Sequence, residues 1–224
     1  MRLTAESDAD AHLLIQVNTH RHDEPVRVQI SGARDFAGAI AAERLDRLLT
    51  RLHPENAASR SWPDPSRPVL AAVTELGRIV RRKRCELATT SVETAVRVMD
   101  AMDYDAHLFT DAETGEDAIV YWAGPLGVRL ARQHRMQLPA ALHAMAITVN
   151  SHAPLQLTDL EAADRLCSYG LPMLFYSDAH DRRGRLLYRR YDGDLGLVEP
   201  MSPTSAQDGM SIAACDTAQA GSDS

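Results

Sequence analysis

The feature that most constrains this chain is that its second half is written twice. Tyr121-Trp-Ala-Gly-Pro-Leu-Gly-Val128 shares a Tyr and then Gly-x-Leu-Gly-apolar with Tyr188 and Gly193-Asp-Leu-Gly-Leu197, at offsets of 67 and 69 residues. Further back, Thr110-Asp-Ala112 matches Ser177-Asp-Ala179 at 67, and Thr90-Ser-Val-Glu93 matches Thr158-Asp-Leu-Glu161 at 68. Matches in one order at offsets this close mark an internal repeat, with copies at 78–132 and 146–200. A unit of about 55 residues buries little surface alone. Two copies on one chain therefore point to sheets that associate within the chain.

Each copy reads as strand, helix and three strands. The first has strands at 79–87, 106–109, 118–121 and 128–130 around a helix at 91–102, capped by Thr90 or Ser91. The helix face is Val92, Ala95, Val96, Met99 and Met102; spacing of three and four keeps these on one side. The second has strands at 146–150, 173–177, 185–190 and 195–198 around a helix at 159–168. Both helices follow Thr-x-x-Glu, the form of a capping box. Asp192-Gly193 between apolar runs is a hairpin turn.

Upstream, residues 1–12 are polar and read as frayed. Strands at 13–17 and 26–30 form a hairpin, Asp35 caps a helix over 36–52, and Phe36, Ile40, Leu45, Leu48, Leu49 and Leu52 make its apolar stripe. A two-stranded sheet is marginal in water, so this 1–52 module reads as incomplete. Pro54, Pro63, Pro65 and Pro68 make 53–77 an extended linker. Residues 133–145 connect the repeats, and 201–224 are too poor in apolar side chains to fold. The fold class is α+β: a truncated strand-strand-helix module, then two tandem β-α-β-β-β repeats.

Arg78-Ile-Val-Arg-Arg-Lys-Arg84, Ser91-Val-Glu-x-Ala95, Asp105-Ala-His-Leu-Phe-Thr-Asp-Ala-Glu-Thr-Gly115 and Tyr191-Asp-Gly-x-x-Gly-Leu-Val-Glu-Pro200 together resemble the C-terminal domain of long ribosome hibernation-promoting factors. The doubling is most similar to the dormancy-associated translation inhibitors of that family. The resemblance implies an N-terminal domain that binds the small ribosomal subunit, a C-terminal domain that mediates dimerisation, and no catalysis. It also implies that 13–52 matches only the last two strands and final helix of the binding domain, through a late start or a shortened chain.

Net charge is −7, divided as −1 over 1–52, +3 over 53–90 and −9 over 91–224. An acidic chain does not displace counterions from nucleic acid generically, so no DNA partner is expected. The basic run Arg78, Arg81, Arg82, Lys83 and Arg84 has two readings. It is a patch that meets rRNA phosphates along a strand edge, or an edge strand guarded by charge against unwanted pairing. Arg27, Arg34, Arg44, Arg47 and Arg51 are the second rRNA candidate, with nearby carboxylates. Phe109, Tyr121, Phe175, Tyr188 and Tyr191 are the aromatic candidates for an interface between sheets.

His20-Arg-His22-Asp23 and Asp178-Ala-His180-Asp181 read as turns, because zinc needs three or four converging ligands. Cys85, Cys167 and Cys215 are too few and scattered for a disulfide framework, and Cys85 reads as a packed thiol. No cofactor and no metal are expected. No apolar run approaches a membrane span of about 20 residues, and the setting read from the sequence is the cytoplasm. The expected function is translational regulation through the small ribosomal subunit, with self-association through the repeats. Two rivals are a dimerisation module without ribosome binding and an enzyme built on the His/Asp groupings.

Overall fold

A computed structural model describes residues 2–7, 12–21, 24–52, 75–124, 127–137, 147–190 and 192–201. These fall into two compact units. The first holds strands β1 (Arg2–Ser7), β2 (His12–Arg21) and β3 (Glu24–Ala33), helix α1 (Arg34–Arg51) and the segment Arg97–Tyr104. The second holds the remaining described residues.

In the first unit the sheet order is β1-β2-β3, antiparallel throughout. Residues 2–7 are thus a strand, where the sequence suggested a frayed end. The segment is short and polar, and its pairing comes from register, which sets Leu3 opposite Val17 and Ala5 opposite Ile15. Three strands therefore precede the helix, and the third relieves the marginal hairpin. Of the expected helix stripe, Leu48 is buried and Leu45, Leu49 and Leu52 pack against the same core, while its first two residues do not. Ala37, Ala41 and Leu48 are buried with Val17, Val26 and Val28, while Phe36 and Ile40 are 66% and 48% exposed. Small side chains let the helix approach the β-branched sheet face. Asp35 lies inside the first turn of the helix, where a carboxylate suits the dipole, and is not its cap.

In the second unit the two repeats are built alike. The first contributes β4 (Ile79–Cys85), β5 (Thr89–Thr90), α2 (Val92–Ala101, whose residues from Arg97 on count with the first unit), β6 (Ala106–Asp111), β7 (Asp117–Trp122) and β8 (Val128–Arg132). The second contributes β9 (Ile147–Val149), β10 (Gln156–Leu157), α3 (Asp159–Ser168), β11 (Met173–Asp178), β12 (Gly184–Arg189) and β13 (Leu195–Pro200). From β5 and β10 onward the elements of the two copies start 67 residues apart. This register corrects two of the sequence matches. The turn 123–127 corresponds to 190–194, each closed by a backbone bond from its first residue to its last, so Gly124 and Gly193 are not equivalent although both have positive φ. Ser91, not Thr90, corresponds to Thr158. Thr158 makes the full capping box with Glu161, whereas Ser91 accepts from Thr94 N at 3.2 Å.

The sheets are completed by exchange. One has the order β5-β6-β7-β8-β9, the other β10-β11-β12-β13-β4. The opening strand of each copy therefore leaves its own repeat and pairs in parallel with the last strand of the other, β4 on β13 and β9 on β8. Neither five-stranded sheet can form from one copy alone. A register shift between Leu195 and Gly196 turns the alternation of β4, so that Arg82 shares a face with Leu197 while Lys83 shares one with Val198. Gly196 is required in β13: a Cβ there would lie 2.3 Å from the ring of Tyr188, which crosses it from β12.

Candidate functional site

The faces of the two sheets meet in one apolar cluster. Ala106, Leu108, Ile119 and Ala131 come from the sheet of the first repeat, and Phe175, Leu186, Tyr188, Val198 and the exchanged Cys85 come from the other. With Leu87, which follows β4, the cluster has ten members, all of them buried, and partly buried Tyr121 and Met173 pack against it. At about 25 cal/mol per Å² of apolar area, a face that joins two small units is a principal source of their stability. Tyr121 also donates to Asn150 Oδ1 at 3.0 Å. Polar links ring the cluster. Gln133 Nε2 donates to Ser177 Oγ and Arg182 O at 3.0 and 2.7 Å. Asp117, 4% exposed, accepts from Gly184 N at 2.8 Å and from Arg183 Nε and Nη2 at 2.7 and 3.1 Å. That bond holds the Arg183 guanidinium above its ordinary pKa.

Three of the aromatic candidates thus sit at this interface: Phe175, Tyr188 and Tyr121. Phe109 is fully buried but alternates away from Leu108, on the opposite face, where its ring stacks at 6.2 Å on His107. Tyr191 lies outside the described residues.

The outer face of the second sheet carries charge. Arg185 Nη1 lies 2.8 Å from Asp159 and 3.1 Å from Asp178, its Nη2 lies 3.2 Å from Asp181, and Glu199 is 3.7 Å away. Tyr176 OH donates to Asp159 at 2.6 Å. Burial alone would push the Asp159 carboxyl up, but hydrogen bonds from Tyr176, Arg82 and Arg185 hold it below its ordinary value. Burial and the bond to Asp159 push the Tyr176 phenol well up.

The basic run of β4 reaches this network. Arg82 is 2.5 Å from Asp159 and 3.6 Å from Glu199, and Arg84 Nε donates to Glu199 at 2.7 Å. Arg81 and Lys83 are half-buried on the other face, and Arg78 is exposed with its backbone N–H on Asp194. β4 is an edge strand of its sheet, as the charge-guard reading requires. Arg82 and Arg84 are at the same time ion-paired partners of the second repeat, which the sequence did not reveal because Asp159 and Glu199 lie far away in the chain.

The N-terminal arginines are spread through the first unit. Arg27 is 2% exposed, lies 4.4 Å over the Tyr104 ring and donates to Met102 O at 3.1 Å. Arg44 pairs with Asp103 at 2.7 Å, and Arg47 pairs with Glu43. Arg34 and Arg51 begin and end α1.

The His/Asp groupings resolve as far as the described residues reach. Asp178 Oδ1 accepts from His180 N and Asp181 N at 2.9 and 3.1 Å, a side-chain turn. His20 is exposed on β2; His22 and Asp23 lie outside the described residues. Among the described residues no three His, Cys, Asp or Glu side chains are grouped to hold a metal, and no helix is long and apolar enough to cross a membrane. Cys85 is buried in the cluster between the sheets, and Cys167 is a free buried thiol; Cys215 lies outside the described residues.

The family model for the Sigma 54 modulation/S30EA ribosomal protein C terminus matches residues 74–130. Over 209 residues the chain is 44% identical to the dormancy associated translation inhibitor of Mycobacterium tuberculosis, in strains CDC 1551 / Oshkosh and ATCC 25618 / H37Rv; the match covers 89% of this chain and 75% of the relative. The chain belongs to the long ribosome hibernation-promoting factor family. Within this hibernation-factor chain the matched segment is the first repeat. There the positions equivalent to Asp159, Tyr176 and Arg185 are Val92, Phe109 and Ala118, all buried. At these three positions the same backbone thus carries apolar side chains in one copy and polar ones in the other, where they lie beside an apolar helix-side core that includes Ala162, Leu166, Leu187, Leu195 and Leu197.

Proposed function

We propose that this hibernation-factor chain regulates translation by binding the small ribosomal subunit and promoting translational arrest in dormant or stressed cells. The observation that carries this reading is the 44% identity, over most of the chain, to proteins named dormancy associated translation inhibitors. The paired repeats share one buried apolar cluster between their sheets. Their role is to hold surfaces together. The ribosomal contact is assigned to cations at the rim: Arg78 and Arg84 on the β4 side and Arg47 on α1, all exposed. Arg27 is excluded from direct contact by its burial.

Co-sedimentation with small subunits over a salt series tests the reading. Binding should weaken as salt rises, and each arginine that meets a phosphate should reduce the log–log slope by about one when changed to Ala. Absence of the protein from the subunit fraction at low salt would refute ribosome binding. An unchanged slope in the Arg78→Ala and Arg84→Ala variants would move the contact elsewhere.

A further inference from the structure

The two repeats are close copies, yet the contact at the centre of their interface is asymmetric. Asp117 opens β7 and Gly184 opens β12, so they are equivalent positions, and they touch each other. A Cβ on Gly184 would lie 2.6 Å from the Cβ of Asp117. Residues that are equivalent and in contact lie beside the pseudo-two-fold axis relating the copies. There is room for one side chain across that axis, and Asp117 fills it. Its carboxylate is met by Gly184 N and by the guanidinium of Arg183. The residue equivalent to Arg183 in the first copy is Glu116, whose carboxylate instead accepts from His134 N and Arg135 N at 2.7 and 3.2 Å. One face is therefore Glu-Asp and the other Arg-Gly.

A second position carries the same polarity. Arg82 on β4 corresponds to Val149 on β9, and their register partners Leu197 and Leu130 also correspond. Arg82 finds Asp159 and Glu199 on its host repeat. The counterparts of those acids on the first repeat are Val92 and Arg132. Each exchanged strand thus matches the repeat that receives it and mismatches its own.

We propose that these residues make the interface heterotypic: a first-repeat face accepts only a second-repeat face, and the pairing closes within one chain. Two first repeats would set Asp117 against Asp117 in a space for one side chain, and would bring Arg82 and Arg84 beside Arg132. Two second repeats would leave both Arg183 side chains without their carboxylate and lay Val149 against Asp159. The partner this surface fits is the other repeat of the same molecule, and the surface refuses a second copy of itself. This inference stands apart from ribosome binding and is read without ribosomes.

The test uses the full chain and three variants. Arg183→Glu with Gly184→Asp makes both faces Glu-Asp. Glu116→Arg with Asp117→Gly makes both Arg-Gly. All four substitutions together invert the polarity while keeping it heterotypic. Melting curves and sedimentation masses are recorded for each. Wild type should be a monomer. Each two-residue variant should melt lower by about 10 °C, as expected when buried charges lose their partners, or shift to larger species. The four-residue variant should return to a monomer and recover at least half of the lost melting temperature, the shortfall reflecting the His134 and Arg135 bonds. Losses that simply add in the four-residue variant would overturn the proposal, because a structural role without specificity has nothing to restore. So would a Glu-Asp/Glu-Asp chain that melts like wild type, or a wild-type dimer that the Gly184→Asp change dissolves.

Discussion

Arg132→Met should be among the most destabilising single changes in this protein. Arg132 ends β8 with 2% of its side chain exposed, and Asp111 ends β6 with 1%. Nε and Nη2 reach Asp111 Oδ2 at 2.7 and 2.6 Å, Nη2 reaches Glu113 at 3.1 Å, and Nη1 donates to Gln137 O at 2.7 Å. Every arm of the guanidinium is engaged, and one of them ties down the chain leaving the first repeat. Met matches the volume of the stem but leaves Asp111 buried without its cation. Breaking a buried pair from one side costs about 3–5 kcal/mol. For a chain of this length that lowers the melting temperature by roughly 10 °C. Urea unfolding gives the free energy if the slope stays constant. The companion Asp111→Leu/Arg132→Met should recover much of the loss, since replacing both ions with apolar groups removes the stranded charge. A loss below about 1 kcal/mol, the range of surface pairs, would refute the reasoning and show that water reaches Asp111.

Two further outcomes concern pH. Burial lowers the pKa of His107 to about 4 from 6.5. Its folded pKa is depressed, so the unfolded chain binds more protons between these values, and the stability it contributes above pH 6.5 is lost as pH falls toward 4. At full extent this is about 3 kcal/mol, and a His107→Leu variant should flatten that limb of a stability–pH curve; an unchanged limb would assign it to other groups. Asp159 is also depressed, so it stabilises above the ordinary carboxylate pKa and loses this as pH falls through its folded value. Asp159→Asn should therefore weaken the protein at neutral pH and narrow the gap to wild type in acid, measured by urea midpoints at both pH values. A gap that widens in acid would contradict the sign.

The periodicity of the repeats was legible in the sequence because local rules and burial agree there. Helix α3 begins where Thr158 and Glu161 said it should, and the turn before β13 forms where Asp192-Gly193 allows positive φ. Errors of one or two residues arose where the motif was ambiguous. Thr90 and Ser91 are both good caps, and Gly-x-Leu-Gly occurs in a turn in one copy and runs into a strand in the other. Residues 2–7 carry little intrinsic strand preference and gain their structure from β2. In helix α1 the spacing holds for Leu45, Leu48, Leu49 and Leu52 but not for Phe36 and Ile40, because close approach to a β-branched sheet selects Ala37 and Ala41 at its start.

The chain's own order of residues determined that it would fold as a doubled α+β unit, since spacing and capping act over a few residues and need no distant partner. It did not determine which sheet each opening strand would join. For β4 that choice is made far along the chain, where it meets β13 and where Arg82 meets Glu199 and Asp159, the latter 77 residues away. Only tertiary structure could decide it, because the energies that favour exchange arise between groups that local sequence never brings together: a carboxylate that finds its guanidinium, and a glycine that leaves room for one aspartate.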